Sequence, residues 1–184
     1  MYRLLLALVL LTGSNHLLAD RLSEAAFSGT QDVYGSTVAL KNQAVLDYFW
    51  VDVYAAAFYA PPTLTPRQAI AQQSPLRLEL YYFRSIKRSD VIKAAWITLK
   101  RQHEPARLGP LRRDIDALHA AFRDIQPGDR YALNYSAEDG LSLQRNDETL
   151  YQNANPELAR AYLGIWLAEN GLSDTLRKQL LAAP

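Results

Sequence analysis

Trp50-Val51-Asp52-Val53-Tyr54-Ala55-Ala56-Ala57-Phe58-Tyr59, closed by Pro61-Pro62, is the stretch that decides the fold. It is dense in aromatic and β-branched residues, which suit a pleated, half-buried surface. The proline pair cannot donate to a ladder, so the strand must end there. A second strand follows from Leu76 to Arg84. Leu76, Leu78, Leu80 and Tyr82 fall on one face of it, and Arg77, Glu79 and Tyr81 on the other. Such alternation predicts a sheet with one buried face and one wet face. Upstream, the turn residues Gly29 and Gly35 precede short strands near Thr37 to Leu40 and Ala44 to Asp47. Downstream, Arg130 to Ser136 and Leu141 to Arg145 read as a hairpin around Glu138-Asp139-Gly140, with a further strand at Thr149 to Gln152.

Helical signals separate the strands. Thr65-Pro66 opens a short helix that runs through Gln72. Ser89 stands as an N-cap with Asp90 in the first turn, and Val91, Ile92, Ala95, Trp96 and Leu99 follow at helical spacing. After a break at His103-Glu104-Pro105, Leu108, Leu111, Ile115, Leu118 and Phe122 repeat in steps of three and four. Pro127-Gly128-Asp129 is a turn. Asn155-Pro156 starts a helix whose buried stripe is Leu158, Tyr162, Ile165 and Trp166, Gly171 stops it, and Ser173 to Leu181 forms a last helix. The order is strands, helices, strands, helices, with no βαβ rhythm and no repeat. This predicts an α+β domain with a mainly antiparallel sheet and helices packed on one face.

The first residues read differently. Arg3 gives a positive start, Leu4 to Leu11 is an unbroken apolar run, and Ala19 precedes the charged Asp20. These are the marks of a secretory signal peptide over residues 1–19. The run is too short for the roughly 20 apolar residues that span a bilayer. The expectation is therefore a periplasmic or secreted protein, with a single domain over residues 20–184 and no stable membrane insertion after cleavage. Net charge is +1, which provides no field to favour nucleic acid. There are no cysteines, so neither a disulfide framework nor thiolate chemistry is available.

Candidate chemistry is sparse. His103 and His119 carry no flanking signature of a nucleophile or base, and His119 with Asp114 and Asp116 reads better as a helix face than as a metal site. No Gly-rich phosphate loop is present. Arg84 shares its strand face with Leu80 and Tyr82, and stands either in a solvated turn or as a fork for a carboxylate. Eleven tyrosines is a high count, and large aromatics with polar tips can line a ligand cavity as well as a core. Trp96 is read as core, while Tyr54 and Tyr82 stay open between the two. Asp52 falls on the face of Trp50 and Tyr54, where a buried carboxylate needs a partner, and Arg84 is a candidate.

These pieces resemble the chalcone isomerase-like family. Leu40-Lys41-Asn42-Gln43-Ala44-Val45, then Val53-Tyr54-Ala55-Ala56-Ala57-Phe58-Tyr59, is similar to the family's opening motif, L-N-G-A-G-V-R followed by K-V-Y-V-A-A-L-Y. Leu80-Tyr81-Tyr82-Phe83-Arg84 resembles its second strand, Phe122 to Asp129 its F-x-D-x-x-x-G-D turn, and Leu163-Gly164-Ile165-Trp166-Leu167 its L-G-I-W-L-G ending. The resemblance spans nearly the whole mature chain. It implies an open-faced β-sandwich, a large antiparallel sheet with helices layered on one side and a ligand cleft between. The family includes enzymes that close chalcones to flavanones, non-catalytic fatty-acid binders and exported bacterial proteins.

The family's active residues do not carry over. The Arg that ends its opening motif is Leu46 here, its strand Thr is Tyr54, its cleft Tyr falls near Arg88, and its hydroxyl and apolar pair falls at Ile165 and Trp166. The usual Lys before Val-Tyr is Asp52. Chalcone cyclisation needs a cationic group to hold a phenolate and polarise a ketone, and Leu46 cannot supply one. The expectation is a non-catalytic binding protein for an apolar or amphipathic small ligand such as a fatty acid, without catalytic residue, cofactor or metal. The expected ligand-binding residues are Asp52, Tyr54, Tyr82, Arg84, Ile165 and Trp166. The alternatives are an isomerase or lyase on a small aromatic or enone substrate, resting on Tyr54 and Asp52, and an envelope interaction protein, resting on Arg107, Arg112 and Arg113.

Overall fold

The computed structural model describes residues 13–48 and 51–183. The apolar run of the expected signal and Trp50 lie outside the described residues. A helix, α1 (Gly13–Ala25), comes first and runs across the expected cut after Ala19. It is followed by β1 (Thr30–Val33), β2 (Ser36–Tyr48) and β3 (Val51–Ala60). The short α2 (Pro66–Ala71) leads to β4 (Leu76–Tyr82). Three helices come next, α3 (Arg88–Gln102), α4 (Pro105–Leu108) and α5 (Arg112–Ala121). Then come β5 (Arg130–Ser136), β6 (Gly140–Arg145) and β7 (Glu148–Asn153), and finally α6 (Pro156–Leu167) and α7 (Asp174–Leu180).

The strands form one antiparallel sheet in the order β1-β2-β3-β4-β5-β6-β7, so every strand pairs with its neighbour in sequence. Tight turns allow this. Tyr34-Gly35 joins β1 to β2, and Asn146-Asp147 joins β6 to β7, both with positive φ at the two central residues. That is the turn geometry whose twist matches a hairpin. β1 has no counterpart in the sequence reading, and the two short strands expected upstream are one long β2. The register between β2 and β3 shifts between Leu40 and Asn42. The bulge resets the alternation of β2 midway, which makes one strand look like two.

Leu76, Leu78, Leu80 and Tyr82 face the helices and are buried, as the alternation predicted. The opposite face is not wet. Arg77 and Glu79 are only 5% and 2% exposed. The sheet curls until β1 stands against β4 and β5, and the end of α1 closes over the same side. Glu79 accepts from Arg77 Nε at 2.9 Å and from Arg130 Nη1 at 2.7 Å, while Arg77 Nη1 also donates to Asn134 and Gln144. A buried ion pair survives only when its remaining polar atoms are satisfied, which this network achieves. Val33, Val38, Ala57 and Tyr59 make a small separate cluster, and α2 to α7 close the main core on the other face.

Two helix starts differ from expectation. Ser89 is not the N-cap of α3. Lys87 is, with no side-chain cap of its own, and Asp124 from the loop after α5 accepts the Arg88 N–H at 2.8 Å. A distant carboxylate thus does the work of a local one. The stripe from Leu108 to Phe122 is buried throughout, but it belongs to two helices, α4 and α5, because Pro110 lacks the N–H a continuous helix would use. Trp96 is only half-buried, with the Arg112 guanidinium 4.6 Å from its ring centroid.

Candidate functional site

A cleft of about 740 Å³ opens between the sheet and the helices α3 and α6. That volume lies in the range of about 300–1,000 Å³ usual for small-molecule sites. The floor comes from the ends of three strands, with Leu46 on β2, Val53 and Tyr54 on β3, and Tyr82 on β4. One wall is α6, through Tyr162, Ile165 and Trp166. The other wall is α3, whose Val91, Ala94, Ala95 and Thr98 line the cleft, with Asp90 at one end and Arg101 at the other. Leu172 and Ser173 close the side beside Arg101.

The floor and the α6 wall are tied by one hydrogen bond. Trp166 Nε1 donates to Tyr54 Oη at 3.0 Å, 112 residues apart in the chain. Tyr54 meets Tyr82 edge-on with ring centroids 5.3 Å apart, and Tyr82 meets Tyr131 in the same way at 6.1 Å. Burial pushes the phenols of Tyr54, Tyr82 and Tyr162 up from their ordinary value, so all three stay protonated at neutral pH. The Trp166 bond partly offsets that rise at Tyr54, and the neighbouring phenol oxygens add to it at Tyr82. Behind Tyr162 lies His119, 3% exposed, with neither ring nitrogen hydrogen-bonded. Burial pushes it down to about 4, so it is neutral at neutral pH. The walls therefore carry hydrogen-bonding groups without a poised acid–base pair among the tyrosines.

Of the residues expected to line a site, Tyr54, Tyr82, Ile165 and Trp166 come together in this cleft. Arg84 and Asp52 do not. Arg84 is exposed and donates from Nε to the backbone oxygen of Asp52 at 3.0 Å. Its parity with Tyr82 carries no weight because β4 ends at Tyr82. The Asp52 carboxylate is not buried and does not meet Arg84. It accepts from Arg21 Nε at 2.9 Å, with both side chains more than a third exposed, while Arg21 also pairs with Glu24 and lies over the Phe83 ring. The register between β2 and β3 shifts at Leu46 and Asp47, so alternation no longer fixes the face at Asp52.

Sequence reasoning passed over the cleft side of α3. Asp90, Ala94, Ile97, Thr98 and Arg101 recur in steps of three and four, beside the more apolar core stripe. Ile97 signals it best, since a large apolar residue 54% exposed lies on that face. Leu46, where the resemblance places the family's Arg, does line the cleft. Among the described residues no three His, Asp or Glu side chains gather in a metal-binding group. No described helix is long and apolar enough to cross a membrane.

Comparison with known proteins places this geometry. Residues 19–182 match the family described as chalcone isomerase-like. No curated protein matches the chain. Among solved structures, the crystal structure of an Arabidopsis thaliana fatty-acid binding protein aligns with a TM-score of 0.61 at 13% identity, over 84% of this chain and 90% of that one. At that identity the likeness speaks for the fold.

Proposed function

Since the chain belongs to the chalcone isomerase-like family, we propose that it is a non-catalytic binding protein for an apolar or amphipathic small ligand, a fatty acid among the candidates, held in the cleft between sheet and helices. The observation that carries the reading is the cleft itself, about 740 Å³ and mostly apolar, with Leu46 lining it where the family's Arg would stand. Burying a hydrocarbon chain there yields roughly 25 cal/mol per Å² of apolar surface removed from water. The fatty-acid binding protein of like fold adds support for the ligand class. Two features favour binding over isomerisation. Burial holds the proton on Tyr54, which disfavours it as a base, and its oxygen already accepts from Trp166. Asp52 stands outside the cleft, paired with Arg21.

We also propose export, with cleavage after Ala19, from the positive start and the apolar run of residues 4–11. Arg21 remains in the mature chain, while residues 13–19 of α1 would leave with the signal.

Native mass spectrometry of the purified protein, with fatty-acid titration followed by tryptophan fluorescence, tests the binding reading. Trp166 lines the cleft, so occupancy should change its emission. A co-purifying lipid or a saturable change is the expected result. No adduct, no change in emission and an unshifted melting temperature would rule the reading out. Mass measurement of the chain recovered from outside the cytoplasm tests export, with Asp20 as the expected first residue.

A further inference from the structure

The cleft is electrically polarised along α3. Asp90 lines it at the helix's N-terminal end and Arg101 at its C-terminal end, eleven residues on. At 1.5 Å per residue the two stand about 16 Å apart along the axis. Between them the lining of α3 is Val91, Ala94, Ala95, Ile97 and Thr98, and the Thr98 hydroxyl is turned back onto the Ala94 carbonyl at 3.0 Å. Asp47 of β2 adds a second carboxylate to the lining, so Arg101 is the one cation among the described residues that line the cleft, and an anionic end is drawn to it.

Arg101 is held in place rather than loose. Its Nε donates to the Asn170 carbonyl at 2.9 Å and its Nη2 to the Gly171 carbonyl, which fixes the guanidinium against the loop between α6 and α7. A guanidinium has five N–H groups, and these two contacts leave three. Ser173 lines the same end of the cleft. Its oxygen accepts from the Leu176 N–H at 3.2 Å, and its own hydroxyl hydrogen remains to be given. Guanidinium and hydroxyl together match a carboxylate, whose two oxygens accept only. Ile97 lies one turn before Arg101, 54% exposed and on the same face, and a hydrocarbon leaving the head group would cover it.

We propose that Arg101, with Ser173, anchors the carboxylate of a single-chain amphiphile whose tail runs back along α3 towards Tyr82, which keeps the carboxylate at the opposite end of the helix from Asp90. This rests on the cleft being a ligand site, and it transfers the anchoring role expected of Arg84 to a residue on a different element. Orientation is then set by charge, since a carboxylate beside Asp90 or Asp47 would meet a like charge.

Dodecanoic acid and dodecanol, differing only in head group, test it by fluorescence titration of the full mature chain. Wild type should bind the acid more tightly than the alcohol, with affinity for the acid alone falling as salt is added. Arg101→Gln should weaken the acid by about tenfold or more, the worth of a charge-assisted hydrogen bond, and leave the alcohol within about twofold. Arg84→Gln should change neither. An acid affinity unmoved by Arg101→Gln overturns the anchor while the binding reading stands. Failure of both lipids to bind wild type overturns the binding reading, and the anchor with it. Should Arg101→Gln lose both lipids by disturbing the loop at Gly171, Arg101→Lys decides. It keeps the charge but not the fork, so the preference for acid over alcohol should shrink several-fold, and an unchanged preference overturns the anchor.

Discussion

At the scale of single residues, the cleft depends on groups whose partners are far away in sequence. Trp166 gives its indole N–H to Tyr54, and each ring is buried. Trp166→Phe removes that donor and shrinks a buried ring, which should cost about 1–3 kcal/mol, read as a lower urea midpoint at unchanged slope. His119 is a buried, unpartnered imidazole between Trp96 and Tyr162. Burial pushes it down to about 4, with Arg88 and Arg112 adding to the effect and Asp116 opposing it. The unfolded chain, with an ordinary value near 6.5, therefore binds the proton first. The contribution of this group to stability is whole above about pH 6.5, declines as the pH falls and levels off below about 4. Urea midpoints measured across that window for wild type and His119→Phe should converge or cross on the acid side, because the variant loses this part of the slope. None of this was visible in the sequence, where His119 read as part of a solvated helix face. Solvation is decided by what lies over a side chain, and the neighbours of His119 include Tyr162 from a helix more than forty residues on.

At the scale of elements, local chemistry did most of the work. The capping box of α2, where Thr65 and Gln68 satisfy each other's backbone N–H groups, and the Asn155 and Ser173 caps of α6 and α7 all involve residues within three positions of their targets. Such contacts are legible from sequence because they are short-range. The misreadings arise where an element leans on another. The start of α3 is completed by Asp124, and the bulge of β2 breaks the pattern that would have marked a single strand. Gly140 shows how close that reliance becomes. Its φ is +77°, and a Cβ there would run into the Asn153 carbonyl and come within 2.5 Å of the Ala154 Cα. Gly140→Ala should therefore cost more than the roughly 1 kcal/mol typical of point substitutions, by about 2–4 kcal/mol, or leave no soluble protein. Thermal melting distinguishes this from Gly128→Ala, which meets nothing within 4 Å and carries only the strain of positive φ.

At the scale of the whole molecule, the curl of the sheet is the decisive feature. It brings β1 against β4 and β5, buries Arg77 and Glu79, and opens the cleft on the face towards the helices. Glu79 joins side chains from four strands, through Arg77 on its own β4, Arg130 on β5, Gln31 on β1 and, by way of Arg77, Gln144 on β6. Glu79→Ala leaves two guanidinium groups without their buried counter-charge and should cost about 3–5 kcal/mol. The distant Asp52→Ala, which breaks a half-exposed pair with Arg21, should cost under about 1 kcal/mol. Denaturant unfolding of the two variants side by side checks the ordering. By itself the sequence determined that strands and helices alternate in blocks, which residues face the main core, and that Tyr54, Tyr82, Ile165 and Trp166 would be drawn together, since period and family pattern are carried by the chain locally. Only the tertiary structure decided that the second face of the sheet is buried too, that Arg84 and Asp52 stand outside the cleft, and that Arg101 stands at its edge. Those three outcomes depend on sheet curvature, on a shift of register and on which side of α3 meets open space. Each is set by the packing of segments distant in sequence rather than by the residues beside it.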